Sequence, residues 1–466
     1  DQDPSQTRSC LANGDTRGRV GMTFDSTDRL IRQATVGVRE EFDEIAVPEF
    51  SPTRRRRPPG ALILILVLGT IGGFWLFQAS STDQTQVGSN NVAPPAAPLV
   101  SDLDVRLQHT LPRPAAGTSL RDPAFGTSIT RLSQSSADEY VVPVQTPWSA
   151  WNADATRLLL YRTTSEGEGG HWLYDTDSSE FIAELAIEPT DIEQVFWSRT
   201  DPQQLLYFSG IDLTAFNIAT STSQIVESFE MCQRIDPGSS GTGLSADGDR
   251  LGFWCEQTTG AVLVAYRFSS GEVLTKQTTG TEAPLVTPSG NGFVLSLASG
   301  GALVLDSDLE PTGVRLDIED DVFSFAQTAA GKELLVGPSY GGELVGSLVV
   351  YDLDTGAGTV IVGPDSNYPY PPRGAHVSAE GSLVALAMLG RSETTQWDLF
   401  DGEVLLIDLD DPTHSVFRVA HNRTSENIEF WSNAFLSLSP AGNKIAFSSD
   451  WGLADQVDTY IVDTGR

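Results

Sequence analysis

The chain has 466 residues, of which 40% are hydrophobic, and carries a formal net charge of −33. This hydrophobic content allows a large buried core, so a wholly disordered chain is excluded. The charge excludes a general nucleic-acid binder, because phosphate backbones attract Lys and Arg.

The N-terminal region, residues 1–57, differs from the rest in charge. It contains ten arginines and ten acidic residues, so the whole net charge of −33 falls on residues 58–466. We predict a largely disordered tail, because no strong periodic pattern runs through it. Residues 28–46 have approximate helical spacing, which fits a partner-binding helix or a solvated helix without a function equally well.

Residues 58–79 are predicted to form one transmembrane helix. Residues 60–77 contain no charged side chain, and with Gln78 and Ala79 they make about 20 residues, enough to cross roughly 30 Å of hydrocarbon. Four arginines, residues 54–57, precede the segment, and the next basic residue is Arg106. The positive-inside rule therefore predicts a single-pass protein with a cytoplasmic N-terminus and a periplasmic or extracellular C-terminal part. A buried core helix and a signal peptide cleaved near residues 79–81 are the alternatives.

Residues 80–118 are predicted to be an extracytoplasmic linker. Their first part, residues 80–98, is rich in Ser, Thr, Gln, Asn, Pro and Ala, a composition typical of flexible to semi-extended linkers. Such a linker would hold the following domain away from the membrane.

A short motif recurs through residues 119–466: a polar residue, a turn with Gly or Asp, and then an apolar strand. Its polar residues are Asn152, Ser198, Ser245, Thr287, Thr328, Ser378 and Ser439, separated by 46, 47, 42, 41, 50 and 61 residues. Gly and Asp tolerate the positive φ that tight hairpins need. Repeats of this length predict one four-stranded propeller blade each.

Seven motifs predict an all-β fold, a seven-bladed β-propeller. The last repeat has room for only three strands, and the segment 124–132 ahead of the first motif has the pattern of a strand. We therefore predict that this N-terminal strand completes the last blade and closes the ring, which removes an exposed edge.

The motif resembles the TolB-type, WD-repeat-like propeller repeat of bacterial proteins, in which Ser-Pro-Asp-Gly precedes an apolar strand. Residues 198–202, ahead of the apolar residues 205–208, are similar to a blade of oligogalacturonate-lyase-type propellers. Those lyases hold a divalent metal with several histidines and a glutamine. Gln194 precedes the motif here, but no histidine lies within it.

Three cysteines exclude a disulfide-rich scaffold and a zinc site of the paired CxxC type. Cys232 and Cys255 fit either one structural disulfide, if the region lies outside the cytosol, or two separate buried thiols.

Propeller geometry assigns the loops to two faces. The Asp-rich hairpin turns, such as Asp352 and Asp354, lie on one face and are predicted to be turn formers rather than metal ligands. The blade-to-blade connections and the loops between second and third strands lie on the other. Aromatic, Arg, His and Asn groups that converge on one concave mouth suit sugar or peptide binding. The predicted ligand-binding residues on this face are Trp148, Tyr370, Arg373, His376, His421, Arg423, Trp431, Asn433, Asp450 and Trp451.

The sequence lacks the HExxH and P-loop motifs, and no catalytic residue and no cofactor is predicted. His376 and His421 could share a metal with Asp450 or Glu429, but two histidines from separate loops are too few to predict a metal site. We therefore expect a membrane-anchored propeller that acts as a binding or scaffold platform for a protein or glycan, and contacts the bilayer through residues 60–79. The alternative is a polysaccharide lyase or hydrolase that acts at the propeller mouth.

Overall fold

The computed structural model describes most of the C-terminal four fifths of the chain. The described residues are 98–144, 149–164, 169–191, 194–238, 243–297, 300–318, 323–339, 344, 347–363, 366–368, 376–389, 397–425, 431, 433–453 and 455–466. The predicted tail, the transmembrane helix and the first part of the linker lie outside these residues. Among the described residues, no helix has the length and apolar character needed to cross a membrane.

The described residues form β-strands joined by turns and loops. In chain order the strands are β1 (Ser119–Arg121), β2 (Ser128–Arg131), β3 (Glu139–Pro143), β4 (Arg157–Thr164), β5 (Gly169–Asp175), β6 (Phe181–Glu184), β7 (Val195–Trp197), β8 (Gln204–Ser209), β9 (Asp212–Asn217), β10 (Thr222–Ser228), β11 (Arg234–Asp236), β12 (Arg250–Gln257), β13 (Gly260–Arg267), β14 (Glu272–Thr278), β15 (Leu285–Val286), β16 (Gly292–Ser296), β17 (Ala302–Asp306), β18 (Pro311–Leu316), β19 (Ser324–Gln327), β20 (Glu333–Ser339), β21 (Ser347–Asp352), β22 (Gly358–Val362), β23 (His376–Glu380), β24 (Leu383–Ala387), β25 (Glu403–Asp408), β26 (Val416–His421), β27 (Leu436–Leu438), β28 (Lys444–Ser449) and β29 (Gln456–Asp463).

Five separate four-stranded antiparallel sheets, β7–β10, β11–β14, β15–β18, β19–β22 and β23–β26, each form one blade in simple up-and-down order. The prediction of an all-β propeller is therefore confirmed. In each blade the two middle strands carry the apolar runs: β12 and β25 are almost entirely buried, whereas the fourth strand β10 is almost entirely exposed. The core thus lies between the middle strands of adjacent blades.

The remaining strands belong to one nine-stranded sheet. Within it β3–β6 form one meander, and β27, β28 and β29 form another that continues through β2 to β1. Strand β29 pairs antiparallel with β2, with Ile129 opposite Val462, and its first residues run parallel to β3, with Val457 opposite Tyr140.

The polar residue of the repeated motif has a local structural role. Asn152 Oδ1 accepts a hydrogen bond from the backbone N–H of Arg157 (2.9 Å), and Ser245 Oγ accepts one from Arg250 N–H (2.9 Å). The side chain therefore fixes the turn against the start of the next strand. Gly248 in the same turn has φ +75°, a conformation that favours glycine.

Buried serine hydroxyls on β19, β23 and β27 accept hydrogen bonds from other parts of the propeller. Two accept a hydrogen bond from a backbone N–H of the next sheet: Ala379 N to Ser324 Oγ (3.1 Å) and Leu438 N to Ser378 Oγ (3.1 Å). Ser437 Oγ on β27 accepts one from Ala150 N (2.9 Å), which lies between β3 and β4 of the same nine-stranded sheet. These bonds satisfy polar groups that the sheets themselves leave unpaired, so neighbouring blades are held at a fixed spacing.

Cys232 and Cys255 form a disulfide with Cα atoms 5.5 Å apart. It joins the connection after β10 to strand β12, so the alternative of two separate thiols is wrong. Of the two cysteines, Cys255 is completely buried within its sheet.

Candidate functional site

The described members of the predicted site fall into two groups. His376, Trp431 and Asn433 lie at or shortly before β23 or β27, whereas the others end β26 or follow β26 or β28: His421, Arg423, Asp450 and Trp451. His421, Arg423 and Trp451 contact the N-terminal segment 98–135, and Asp450 contacts Ser425. Trp148, Tyr370 and Arg373 lie outside the described residues.

Five aromatic rings from two sheets form a continuous row, which we call the inner cluster. It consists of His171, Tyr161, Trp431, Phe435 and His376, with successive ring centroids 5.7, 5.4, 6.1 and 4.7 Å apart. Such spacings are those of tilted and edge-to-face aromatic pairs. The cluster links the meander β3–β6 to β27 and to β23.

Strand direction explains why these rings meet. His376 begins a first strand and Phe435 directly precedes another, while Tyr161 lies near the end of β4 and His171 near the start of β5, directly opposite Tyr161 in the register. In an up-and-down blade these strand ends lie at the same edge of the sheet. The inner cluster therefore lies on the predicted ligand-binding face.

Burial differs along the inner cluster. Tyr161, Phe435 and His171 are buried at 5%, 1% and 3% exposure, whereas Trp431 and His376 are only partly buried. The buried rings pack with Tyr140, Val142 and Val457. A ligand on this face would thus meet the two partly exposed rings, supported by a fixed apolar floor.

His376 has an unusual electrostatic environment. Burial lowers its pKa to about 4, because desolvation disfavours the charged imidazolium. Its Nδ1 atom is buried and has no hydrogen-bond partner among the residues that the structure describes. At neutral pH the ring is therefore a neutral imidazole that can donate or accept one hydrogen bond at each nitrogen.

An ion pair lies next to the inner cluster on the first meander. Arg162 binds Glu139, and its guanidinium stands 5.5 Å from the ring centre of Trp172. Burial raises the pKa of Glu139, but the hydrogen bonds from Arg162 and Ser136 outweigh it and lower the pKa below its usual value. This carboxylate is consequently ionised and paired at neutral pH.

The second group belongs to what we call the outer cluster: Asp122, His421, Arg423, Asp450 and Trp451. Asp122 Oδ2 accepts hydrogen bonds from His421 N–H (3.1 Å) and Arg423 Nη2 (3.1 Å), and all three residues are at most 4% exposed. Burial would raise the pKa of Asp122, but the hydrogen bonds and charge of His421 lower it to about 2.

Trp451 and Asp450 complete the outer cluster. The Trp451 ring stacks on Tyr460 with centroids 4.7 Å apart, and its Nε1 donates to Leu111 O (3.1 Å). Asp450 is fully buried and accepts the N–H of Ser425 (2.9 Å). Several polar groups of the outer cluster are thus bonded within the protein, whereas His421 Nδ1 and Arg423 Nε are buried without a hydrogen-bond partner among the described residues. The predicted role of the outer cluster in ligand binding stays a prediction.

The packing of the segment 98–113 against the blades was not predicted from the sequence. Arg418 is completely buried and forms a bidentate pair with Glu403 (2.8 and 2.6 Å), and its Nη1 donates to Asp104 O (2.6 Å). Burial raises the pKa of Glu403, against the opposing effect of Arg418. The available signal was the alternation of residues 102–107, Asp-Leu-Asp-Val-Arg-Leu, which is typical of an extended segment with two different faces.

Metal ligation has little support in the described part of the chain. It contains no group of three or more His, Cys, Asp or Glu side chains placed to hold a metal ion. Gln194 donates its amide to Asp236 Oδ1 (3.2 Å), so this side chain is engaged within the protein. On the opposite face, Asp352 Oδ1 accepts the N–H of Asp354 (2.8 Å), the geometry of a turn former.

Comparisons with known proteins identify the fold. No family model matches the sequence, and no curated protein is similar to it in sequence. A solved structure of an oligogalacturonate lyase in complex with manganese matches 74% of this chain and 95% of its own, with a TM-score of 0.53 and 15% identity. An oligogalacturonate lyase from Vibrio parahaemolyticus matches 75% and 98%, with a TM-score of 0.53 and 16% identity. The chain is therefore a β-propeller similar in fold to oligogalacturonate lyases, as the sequence resemblance indicated.

Proposed function

We propose that the chain is a membrane-anchored, extracytoplasmic propeller that binds a protein or glycan ligand at the inner cluster. The observation that carries the proposal is the aromatic row from His171 to His376, which brings together rings from two sheets. A rigid aromatic surface with a neutral imidazole can stack on a sugar ring or hold an apolar side chain.

The charge of the protein limits the class of ligand that can bind at the inner cluster. With a net charge of −33, the protein repels strongly anionic polymers such as acidic polysaccharides. Neither exposed member of the inner cluster carries a charge at neutral pH, since the pKa of His376 is about 4. We therefore propose a neutral or basic ligand.

The disulfide supports the proposed location. Disulfides form and persist in oxidising compartments and are rare in the cytosol. The Cys232–Cys255 bond thus agrees with a C-terminal domain in the periplasm or outside the cell, which the arginines before residues 60–77 also favour. We retain the proposal of a cytoplasmic tail over residues 1–57 and one membrane span over residues 58–79.

We propose further that the nine-stranded sheet contains two blades, so that the ring has seven blades and β2 completes the last one. The buried Asp458 on β29 supports this, because it binds Arg131 (2.7 Å) and Ser133 Oγ (2.9 Å), both next to β2 or within it. Asp458→Ala should destabilise the protein by about 3 kcal/mol or more, since it leaves buried arginine unpaired. The exposed Asp463→Ala is the control, and equal melting temperatures for the two variants would contradict this closure.

A binding screen tests the proposed function. The full-length chain in detergent micelles is applied to a glycan array and, separately, used to capture envelope proteins. Trp431→Ala should weaken the strongest interaction at least tenfold, because it removes a partly exposed ring of the inner cluster. Trp397→Ala is the matched control, since this partly buried ring lies 6.0 Å from His421 in the other group.

The outcomes separate the candidate functions. Loss of binding in Trp397→Ala but not in Trp431→Ala would refute binding at the inner cluster. Cleavage of array glycans, detected as new reducing or unsaturated ends, would replace the binding proposal with the lyase or hydrolase alternative.

A further inference from the structure

Residues 102–107 form an extended segment with two contrasting faces. Two polar side chains of the segment contact the propeller: Asp102 binds Arg418 (3.2 Å), and Arg106 donates to Ala124 O (2.8 Å). The apolar side chains face solvent, with Leu103, Val105 and Leu107 exposed at 51%, 51% and 57%. This order is the reverse of the usual one, because solvent-facing residues of a packed strand are normally polar.

The backbone carbonyls of the even-numbered residues are held by the propeller. Arg418 donates to the carbonyl oxygens of Val100, Asp102 and Asp104 (2.7, 3.2 and 2.6 Å). His421 Nε2 lies 3.2 Å from the carbonyl oxygen of Arg106. Two buried side chains of blade β23–β26 thus fix the segment in its extended form.

The backbone groups of the odd-numbered residues differ in their hydrogen bonding from those of the even-numbered residues. In an extended chain the N–H and C=O groups of alternate residues point in opposite directions. Among the described residues, no hydrogen bond reaches the backbone groups of Leu103, Val105 or Leu107. Unpaired backbone groups beside exposed apolar side chains make a template on which another strand can pair.

We propose that residues 103–107 are a docking edge for an extended segment of a partner protein, which adds as a β-strand, places apolar residues at alternate positions and carries basic flanks. Main-chain hydrogen bonds would provide the affinity, and Leu103, Val105 and Leu107 the side-chain contacts. The basic flanks follow from the net charge of −33, which attracts cationic chains and repels a second copy of this protein. This interaction is separate from ligand binding at the inner cluster.

The fourth strand β10 does not offer an equivalent edge. Strand β10 exposes Ile225 at 56%, but its sequence is mostly polar and its pairing with β9 shifts between Ile225 and Glu227. Such irregular, polar edges oppose strand addition. Ile225 is therefore the matched control for an exposed apolar residue outside the docking edge.

A strand-forming peptide tests the proposal on the full chain in detergent micelles. The probe is a synthetic seven-residue peptide with valine at alternate positions, threonine between them and lysine at both ends. Its control has every internal amide N-methylated, which keeps the side chains and charge but removes the donors. The free peptide should bind at least tenfold more tightly than the methylated one and slow hydrogen exchange at Leu103, Val105 and Leu107.

Two substitutions locate the interaction. Val105→Asp should weaken peptide binding at least tenfold at an unchanged melting temperature, because the side chain faces solvent, while Ile225→Asp should have no effect. Equal affinity for both peptides, or equal loss in both variants, would overturn the proposal. Slowed exchange at these amides with neutral lipid vesicles alone, or a dimer abolished by Val105→Asp, would assign the edge to a membrane or to a second copy and would equally overturn it.

Discussion

The inner and outer clusters have similar composition and very different surroundings. Both contain histidine and tryptophan from blade connections and loops on one face. In the inner cluster Trp431 and His376 are partly exposed, whereas in the outer cluster His421 and Asp450 are completely buried. The segment 98–135 contributes to the difference, because its backbone carbonyls bond His421, Arg423 and Trp451 of the outer cluster.

The comparison of the two clusters shows how much a loop sequence alone indicates about the partner of its residues. An Arg, His and Trp near a blade connection indicate a specific contact, but the partner can be a ligand or a distant part of the same chain. Asp122 is about 300 positions from Arg423 in sequence, with a separation of 301. The polar residues of the outer cluster therefore contribute to stability, and those of the inner cluster remain the candidates for binding.

The largest loss of stability is expected for a substitution of Arg418, which lies beneath the outer cluster. Arg418→Ala should cost about 3–5 kcal/mol in unfolding free energy, because it leaves the buried Glu403 without its partner. Arg466→Ala is the control, since its pair with Asp408 is partly exposed and should contribute at most about 1 kcal/mol. Denaturant unfolding of both variants measures the difference. Comparable losses would show that the segment 98–113 does not seal this region.

His376 should make stability depend on pH at the inner cluster. Its folded pKa of about 4 lies below the usual 6.5, so the unfolded chain takes up the proton first. Stability should therefore fall by about 3 kcal/mol as the pH decreases from about 6.5 to about 4. His376→Gln should flatten this dependence. An NMR titration midpoint of His376 near its usual value would contradict the buried environment.

Asp122 in the outer cluster should also make stability depend on pH. The effect should be smaller than that of His376 and should occur at lower pH. Its pKa is lowered to about 2, so its stabilisation is complete above about pH 4 and is lost as the pH falls towards 2. The contribution is about 2 kcal/mol, and Asp122→Asn should remove it. The measurement compares acid unfolding of this variant with that of the unmodified chain. Parallel curves over this interval would argue against the bonds from His421 and Arg423.

The smallest expected effect concerns the first strands under the inner cluster. Ser378→Ala removes the hydroxyl that accepts the N–H of Leu438 and should cost about 1 kcal/mol. Ser382→Ala, on a turn of the same blade, is the control because its hydroxyl makes only a 3.4 Å contact with Asp408. A melting temperature that falls equally in both variants would show that the serine contacts between blades contribute nothing specific.

The fold could be predicted from the sequence because each repeated motif consists of residues that are neighbours in the chain. Asn152, Ser245 and their equivalents each act within one turn, and a turn is fixed by neighbouring residues. The polar–turn–strand motif therefore identified the propeller. Whether Cys232 and Cys255 form a disulfide could not be decided from the sequence, because their spacing alone does not distinguish a bond from two buried thiols.

The candidate site could be predicted only in part from the sequence, because its residues are brought together by contacts between distant parts of the chain. His376 and Trp431 were singled out by residue type, whereas Tyr161 and Phe435 look like ordinary apolar strand residues. Their meeting depends on how distant strands of the nine-stranded sheet and the sheet β23–β26 pack, which no local pattern encodes. The cover over the outer cluster likewise depends on contacts such as Trp451 with Leu111, which are 340 positions apart.

The central claim is that Trp431 serves binding and Trp451 serves stability. The most direct test measures, for Trp431→Ala and Trp451→Ala, both the melting temperature and the affinity for the ligand identified in the screen. The account predicts at least tenfold weaker binding with a nearly unchanged melting temperature for Trp431→Ala, and a lower melting temperature with normal affinity of the folded protein for Trp451→Ala. The reverse pattern would contradict it.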